Sequence, residues 1–493
     1  MLVAICMVFL VAATVRLELL TVRSLWIDEA LTLDLVSGGP RRIVESTRLS
    51  EPHPPGYYLL LWGWQRLVGP EPVYARIPSV VFGLLAVALT GWVGYNLAPE
   101  WAALAAAASV AFHPFQVLAS NEARMYALLT AAGLAATLVL IEAVRRPGCL
   151  GRWVVYGALT AGLGYVSYYG FLLVAGHAVG VLLVVARSRS WRGPTLSAAT
   201  ALLCYIPWLP SLVTSLTSNP VPWRPPASGS YLLGILITQT AGGYVLGTPA
   251  YHASDPATPG WFVLATPAAV LLTLGVVDSV RTPEGLILTS SWLVPVNLVA
   301  GASLVLNKQV AYYYHLTYLQ PYAALLLVLG AAGLARRVNP GGLNVVALGC
   351  AALLLGTLGV GTHLAQTGSR DVYRFDLLGH WLQRKQMRGD VTMYFAHVGQ
   401  RVLRYYFKPA GPEVVISVSP RHWTLRGVRP LLEQAVAPLQ AGHGRVWVVL
   451  TPPTPPGSVD ELIRLLQATG YRPGREFLVF RGVSAQLFER KRE

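Results

Sequence analysis

Charge is scarce in this chain of 493 residues: 12% are Asp, Glu, Lys or Arg, where a soluble domain carries about 25%. The deficit excludes an ordinary water-facing surface over most of the chain. With 54% hydrophobic residues, lipid replaces water as the main solvent. Cysteine is scarce as well. Cys6, Cys149, Cys204 and Cys350 form no CxxC pair and no Cys/His cluster, which excludes a zinc knuckle and a disulfide framework. The C-terminal tail has no nucleotide-binding glycine fingerprint. No internal repeat is visible, and with it goes the inverted symmetry of many transporters. Acidic residues are fewer than basic ones, 23 against 38, which leaves a net charge of +15. That excess does not point to nucleic acid. Many basic residues sit in short clusters at the ends of apolar runs, as topology signals and phospholipid contacts.

What is present is a series of apolar runs. They recur at about 2–22, 77–97, 101–119, 125–144, 153–168, 170–187, 195–214, 261–280, 285–306, 316–335 and 343–363, each near the length a membrane-spanning helix needs. No small-residue cleavage site precedes Trp26, so the first run reads as a retained span; either Arg16 and Glu18 lie at the outer interface or the true start lies upstream of Met1. Basic clusters fix the orientation. Arg145, Arg146 and Arg152 lie between the fourth and fifth runs, and Arg187, Arg189 and Arg192 between the sixth and seventh. Arg281 lies between the eighth and ninth, and Arg336 and Arg337 between the last two. With the N-terminus inside, all of these face the cytoplasm. The segments 23–76, 120–124, 215–260 and 307–315 and the C-terminal tail then lie outside. Residues 57–69 are apolar but too few to span, and read as a re-entrant or interfacial helix.

Composition changes near Gln366. Polar helical stretches at 371–387, 397–407, 427–438 and 458–469 alternate with β-rich runs Val391–Phe395, Val414–Val418, Val446–Leu450 and Phe477–Phe480. The proline-rich stretch 451–457 reads as a surface turn. The expected architecture is a mainly α polytopic membrane protein with about eleven spans over residues 1–365. An extracytoplasmic α/β domain follows over 366–493.

Four polar stretches carry chemistry, and the derived topology gathers all of them outside. In SLWIDEALTLDL, residues 24–35, Asp28 and Glu29 follow the first span. Carboxylates at a membrane surface face water, a partner charge or a metal; a solvated helix start is the competing explanation. In EPHPPGYYLLLWGW, residues 51–64, two prolines forbid helix after His53 and hold it near the head groups, with Tyr57 opening the apolar helix. In HPFQVLASNEARMYALL, residues 113–129, Glu122, Arg124 and Tyr126 sit on a tight turn. There Arg124 is placed to pair with a phosphate or with Asp28. In NKQVAYYYHLTYLQPY, residues 307–322, Lys308 and His315 flank a tyrosine run. An aromatic belt accounts for the tyrosines, while Lys308 runs against the positive-inside trend and suggests a bound anion. Carboxylates, His, Arg and Lys at one interface suit an anionic, lipid-linked substrate.

The order SLWIDEA, then EPHPPGYYLLLWGWQRLVGPEPVYARIPSVVFGLLAV, then NEARMYALL resembles bacterial membrane glycosyltransferases of the protein O-mannosyltransferase-like group. These have the GT-C fold, shared with protein O-mannosyltransferases and lipid A aminoarabinose transferases. The motif-bearing match covers about residues 16–145. The resemblance implies an acidic catalytic base in the first outer loop, which Asp28 matches with Glu29 beside it. It implies that His53 lies beside the donor phosphate and that Glu122 and Arg124 face the same cavity. The O-mannosyltransferases carry a different domain between later spans, whereas here the extra domain is C-terminal.

The expected reaction is inverting transfer of a sugar from a polyprenyl-phosphate donor to an acceptor hydroxyl, with Asp28 as base. Arg124, His53 and Lys308 would stabilise phosphate charge. Glu122, Tyr126, Tyr57 and His315 would contact substrate. A divalent cation held by Asp28, His53 and Glu122 is permitted by ligand chemistry but not demanded by spacing. The partners are the lipid-linked donor, membrane lipids and a protein, lipid or glycan acceptor, without nucleic acid. The location is the inner membrane, with the site outside. A transporter or flippase of lipid-linked sugars is the rival class, and a non-catalytic assembly protein a second; neither requires Asp28.

Overall fold

The computed structural model describes residues 2–49, 51–218, 226–241, 260–338, 374–395, 397–418, 424–441, 444–451, 454–480 and 483–490, with residues 349 and 359. The chain divides into two compact units. The first is Met1–Thr21, Val36–Ser218 and Arg224–Gln366; the second is Val22–Leu35, Asn219–Trp223 and Thr367–Glu493.

Helices dominate the first unit: α1 Leu2–Val22, α2 Ile27–Ser37 at its border, α3 Gly39–Leu49, α4 Gly56–Val68, α5 Pro72–Leu97, α6 Glu100–Phe112, α7 Pro114–Ser120 and α8 Tyr126–Arg145. There follow α9 Leu150–Val166, α10 Gly170–Ser188, α11 Arg192–Tyr205, α12 Leu209–Ser218, α13 Gly229–Ala241, α14 Gly260–Ser279, α15 Pro283–Leu306 and α16 Gln320–Val338, with a 3-10 helix at Tyr313–Leu319. Ten of the expected apolar runs fall on these helices. The run 343–363 and most of the loop 215–260 lie outside the described residues.

Among the described residues, six helices are long and apolar enough to cross a membrane, or seven if α6 and α7, bent by 60°, count as one span. The chain is a multi-pass membrane protein. Of the eleven expected spans, one, 343–363, lies outside the described residues. Three others are short: α9 has 17 residues, and the described apolar stretches of α10 and α14 are Gly170–Ala186 and Thr266–Ser279. At 13 residues α4 is also short of a span.

Lipid gives helices no hydrophobic reason to associate, so contact depends on small residues and internal hydrogen bonds. Gly176 and Gly180, one turn apart on α10, show the first device. A Cβ on Gly176 would lie 2.6 Å from the Ser290 carbonyl oxygen of α15, and one on Gly180 would lie 2.9 Å from the Ile287 Cα. The second device is a buried polar group joining α8, α9, α10 and α16. Thr137 Oγ1 lies 3.0 Å from His177 Nε2 and 2.7 Å from the Tyr322 hydroxyl, and His177 Nδ1 lies 3.1 Å from the Tyr156 hydroxyl.

Basic clusters meet at one end of the helices. Arg145, at the end of α8, donates to Glu284 at the start of α15 (2.8 Å) and to Asn96 at the end of α5 (2.7 Å). Arg152 bonds to Glu142 at 3.3 Å. Arg337 grips Asp278 with two hydrogen bonds of 3.0 and 2.8 Å. These groups are at the helix ends where charge remains in contact with water.

The second unit is an α/β domain. Strands β1 Val391–Phe395, β2 Glu413–Ile416, β3 Arg445–Leu450, β4 Tyr471–Phe480 and β5 Val483–Arg490 form one sheet in the order β2-β1-β3-β5-β4. Both neighbours of β1 are parallel to it, while β5 runs antiparallel to β3 and to β4. Helices α17 Phe375–Lys385, α18 His397–Leu403, α19 Leu425–Val436 and α20 Ser458–Ala468 complete it. Every residue of β1 is buried, as expected of a strand covered on both faces. Val391, Met393, Phe395, Val446, Val448, Leu432, Leu462 and Phe488 belong to one core. Four of the strands and all four helices match the sequence expectation to within a few residues, apart from a longer β4. The fifth strand was not expected. Its sequence, VSAQLFER, mixes Gln and Arg into a short alternating pattern that reads equally as a polar terminus.

The segment Val22–Leu35 groups with this domain. The Leu25 backbone N–H donates to the Tyr406 hydroxyl (2.8 Å), and the Asp376 N–H donates to Ser24 Oγ (3.3 Å). Arg401 pairs with Asp34 at 3.0 Å.

Candidate functional site

Three separated stretches of the sequence, 51–58, 116–126 and 310–317, come together at one end of the first unit. Each owes its shape to a local break. Pro54 and Pro55 stop any helix before α4, and Pro55 stands at its N-cap. Gly56 then packs where a Cβ would lie 2.5 Å from the Tyr165 carbonyl oxygen, so the entry to α4 needs glycine. His113 and Pro114 break α6 from α7. The third stretch follows Asn307, whose left-handed backbone (φ 46°) ends α15.

The first two stretches are linked through buried tyrosines. The Tyr58 hydroxyl donates to Glu51 (2.8 Å) and accepts from Arg124 Nη1 (3.4 Å). The Tyr57 hydroxyl lies 3.3 Å from Ser79 Oγ, which donates to the Arg124 carbonyl oxygen at 3.4 Å. Glu122 and Arg124 are each 4% exposed, and the Arg124 N–H closes the turn onto the Glu122 carbonyl.

The third stretch supplies an aromatic cluster around His315. Tyr169 stacks on its ring at 4.7 Å between centroids, Tyr314 lies at 4.4 Å, Tyr126 at 6.0 Å and His53 at 6.4 Å. His315 Nδ1 accepts the Tyr312 N–H (3.0 Å), which assigns the proton of the neutral ring to Nε2. Irregular backbone in lipid needs internal partners, and buried or half-buried side chains provide them. Tyr169 donates to the Val310 carbonyl (2.9 Å), Tyr231 to Ala311 (2.7 Å), Gln239 to Leu316 (3.2 Å) and Gln116 to Thr317 (2.8 Å).

His53, Tyr57, Glu122, Arg124, Tyr126 and His315 are thus brought into one neighbourhood. Lys308 is not: it is exposed beside the end of α15, and its N–H bonds to the Ser303 carbonyl. Asp28 and Glu29 open α2 in the second unit. Glu29 is buried and accepts the Trp26 N–H at 3.3 Å, as a helix-capping carboxylate does. Asp28 is half-buried, and its carbonyl accepts Thr32 Oγ1. In the same unit, burial first and the charge of Asp34 second raise the Tyr405 phenol above its ordinary value. Among the described residues no group of three or more His, Cys, Asp or Glu is arranged to hold a metal ion; within the first unit, His53 and Glu122 form no such set.

Sequence reasoning passed over Tyr58, Tyr169, Gln116, Tyr231 and Gln239. The signal for the two glutamines was available: an amide within an apolar run must find a partner inside the protein. Tyr58 and Tyr169 carried no such mark among 23 tyrosines.

Comparison with known proteins bears on this arrangement. Residues 52–211 match the family of dolichyl-phosphate-mannose-protein mannosyltransferases, a region that contains the first two stretches of the site. The structure resembles ArnT from Cupriavidus metallidurans, with a TM-score of 0.60, 13% identity, and coverage of 98% of this chain and 97% of that one. The chain has the GT-C fold. The same ArnT bound to undecaprenyl phosphate gives the same TM-score and coverage. A second GT-C structure, the Archaeoglobus fulgidus oligosaccharyltransferase in complex with Zn and sulfate, matches with a TM-score of 0.53 and 11% identity. That match covers 90% of this chain and 67% of that one. No curated protein matches the sequence. The family matched over 52–211 and the GT-C structures are glycosyltransferases.

Proposed function

We propose that this protein transfers a sugar from a polyprenyl-phosphate donor to an acceptor hydroxyl on the extracytoplasmic side of the inner membrane. The observation that carries the reading is the cluster of buried Glu122, Arg124, Tyr126 and His315 with half-buried His53 at the start of α8. Arg145 and its ion pairs stand at the other end of the same helix. At 20 residues and about 1.5 Å per residue, the two ends are roughly 30 Å apart, the thickness of a bilayer core. Positive residues mark the cytoplasmic end, so the cluster faces outward, where nucleotide sugars are absent and lipid-linked donors are presented.

The phosphate of such a donor is already a good leaving group. Asp28 takes the proton from the acceptor hydroxyl. The hydroxyl oxygen attacks the anomeric carbon from the face opposite the phosphate. The carbon–oxygen bond to phosphate breaks, its electron pair leaves with the phosphate, and the anomeric centre inverts. Arg124, His53 and the Nε2–H of His315 stabilise the charge gathering on the departing phosphate; exposed Lys308 adds long-range attraction for it. Tyr57, Tyr126 and the aromatic faces around His315 offer surfaces for the sugar ring, and Glu122 orients hydroxyls. Glu29 holds the helix that carries Asp28. ArnT bound to undecaprenyl phosphate supports a polyprenyl carrier. No step in this scheme passes through a metal.

The test is transfer of label from a panel of radiolabelled polyprenyl-phosphate sugars to cell-envelope extract, with protein in nanodiscs. Wild type should release label from the carrier and Asp28→Asn should not, while still binding donor. Full activity of Asp28→Asn would remove the base assignment. Carrier binding without transfer by either protein would favour a transporter.

A further inference from the structure

We propose that Arg16 is a positioning residue that holds both the Glu122–Arg124 turn and the His315 3-10 helix through the break between α6 and α7. Arg16 was expected at the outer interface. It is instead wholly buried in α1, at 0% exposure. Among the described residues no carboxylate pairs with it, and every contact of its guanidinium is to a hydroxyl or a carbonyl. Nη1 donates to the Ala111 carbonyl (2.9 Å) and to Ala12 of its own helix (3.1 Å), and Nη2 donates to Val110 (3.4 Å). Ala111 and Val110 end α6, where carbonyls lack intrahelical partners and the helix dipole is negative. A buried cation at that point replaces the hydrogen bonds that His113 and Pro114 interrupt.

The third guanidinium nitrogen reaches across the break. Arg16 Nε bonds to Ser120 Oγ (3.0 Å) at the end of α7, and Ser120 in turn donates to the Gln116 carbonyl (2.6 Å). Gln116 extends its side chain to the Thr317 carbonyl (2.8 Å), two residues past His315. Gly83 of α5 leaves room for this junction, because a Cβ there would collide with Ser120 Oγ and lie 3.3 Å from Arg16 Nε. One guanidinium thus braces both halves of a bent span. The lower half carries Gln116, which fixes the His315 segment, and its end leads directly into Asn121, Glu122 and Arg124. A charge buried in the membrane at this cost is retained where it orders something; here it orders two of the three stretches that form the site.

The consequence for function rests on the transfer reading above, so the test has two independent readouts on the full chain in nanodiscs. The first is hydrogen–deuterium exchange. Arg16→Met should speed exchange in peptides covering 113–126 and 313–319 while peptides of α15 and of the β1–β3 sheet stay as in wild type. The second is kinetic: donor KM should rise about tenfold, the loss expected for one charged hydrogen-bond network, with a smaller change in kcat. Arg16→Lys, which keeps the charge but not the fork, should recover part of both effects. Ser120→Ala, a milder change, should move both in the same direction. Unchanged exchange in the two segments would overturn the proposal. So would uniform acceleration across the bundle with unchanged donor KM in the surviving active protein, the pattern of a merely structural arginine. Wild type that transfers no sugar from any donor would overturn the transfer reading alone, and the exchange pattern would still decide the role of Arg16.

Discussion

The two ends of α8 use the same residue type in opposite ways. Arg145, at one end, has a side chain 32% exposed and pairs with Glu284 and Glu142, themselves partly exposed. Arg124, at the other, is 4% exposed and is bound into a network of tyrosines and backbone. Exposed ion pairs contribute about 0–1 kcal/mol each and weaken in salt. A buried charged group is costly unless its partners are fixed, and removing one partner strands the others. The lesson is that charge at one helix end stays in water as an exposed ion pair, whereas charge at the other is withdrawn into the candidate site.

This contrast can be broken experimentally. The largest effect is expected from Arg124→Ala, which should lower kcat/KM for sugar transfer by about 100-fold or more, because charged hydrogen bonds contribute about 1.5–3 kcal/mol and their loss leaves Tyr58 and Glu51 with an altered partner. Next comes His315→Phe. It keeps a ring for Tyr169 to stack on but removes the Nδ1 acceptor of the Tyr312 N–H and the Nε2 donor, so a loss near tenfold in kcat/KM is expected. Tyr406→Phe should leave the sheet intact and remove one hydrogen bond to Leu25, lowering the unfolding free energy of the second unit by about 1 kcal/mol. That change is readable as a lower denaturant midpoint. The smallest effect is expected from Arg145→Ala: transfer within about twofold of wild type and a stability change below about 1 kcal/mol that shrinks further in high salt. A ranking with Arg145→Ala above Arg124→Ala would erase the distinction between the two ends.

The same distinction explains what could be read from the sequence. Apolar runs and basic clusters are long-range, repetitive signals, so the helical course of the chain and the end at which Arg145, Arg152 and Arg337 gather were legible. The exact number of spans was not, since length separates α9 from a spanning helix by a residue or two and hydropathy cannot resolve that. Regular β-rich runs gave four strands; β5 was hidden by polar residues on its exposed face. At the site, the HPP element and the NEAR turn stood out because they interrupt apolar sequence. Their connection through Tyr58 was hidden, since a hydroxyl partner is chosen by three-dimensional proximity. Arg16 was misread as interfacial because a lone arginine near the end of an apolar run normally snorkels; only the broken α6–α7 pair explains its burial. Asp28 followed from its place in the motif.

The most direct measurement is transfer from a labelled polyprenyl-phosphate sugar in nanodiscs by wild type, Asp28→Asn, Arg124→Ala and Arg145→Ala side by side. The account predicts that label leaves the carrier with wild type and Arg145→Ala, and stays on it with the other two. Transfer by Asp28→Asn and Arg124→Ala at the wild-type rate would contradict it.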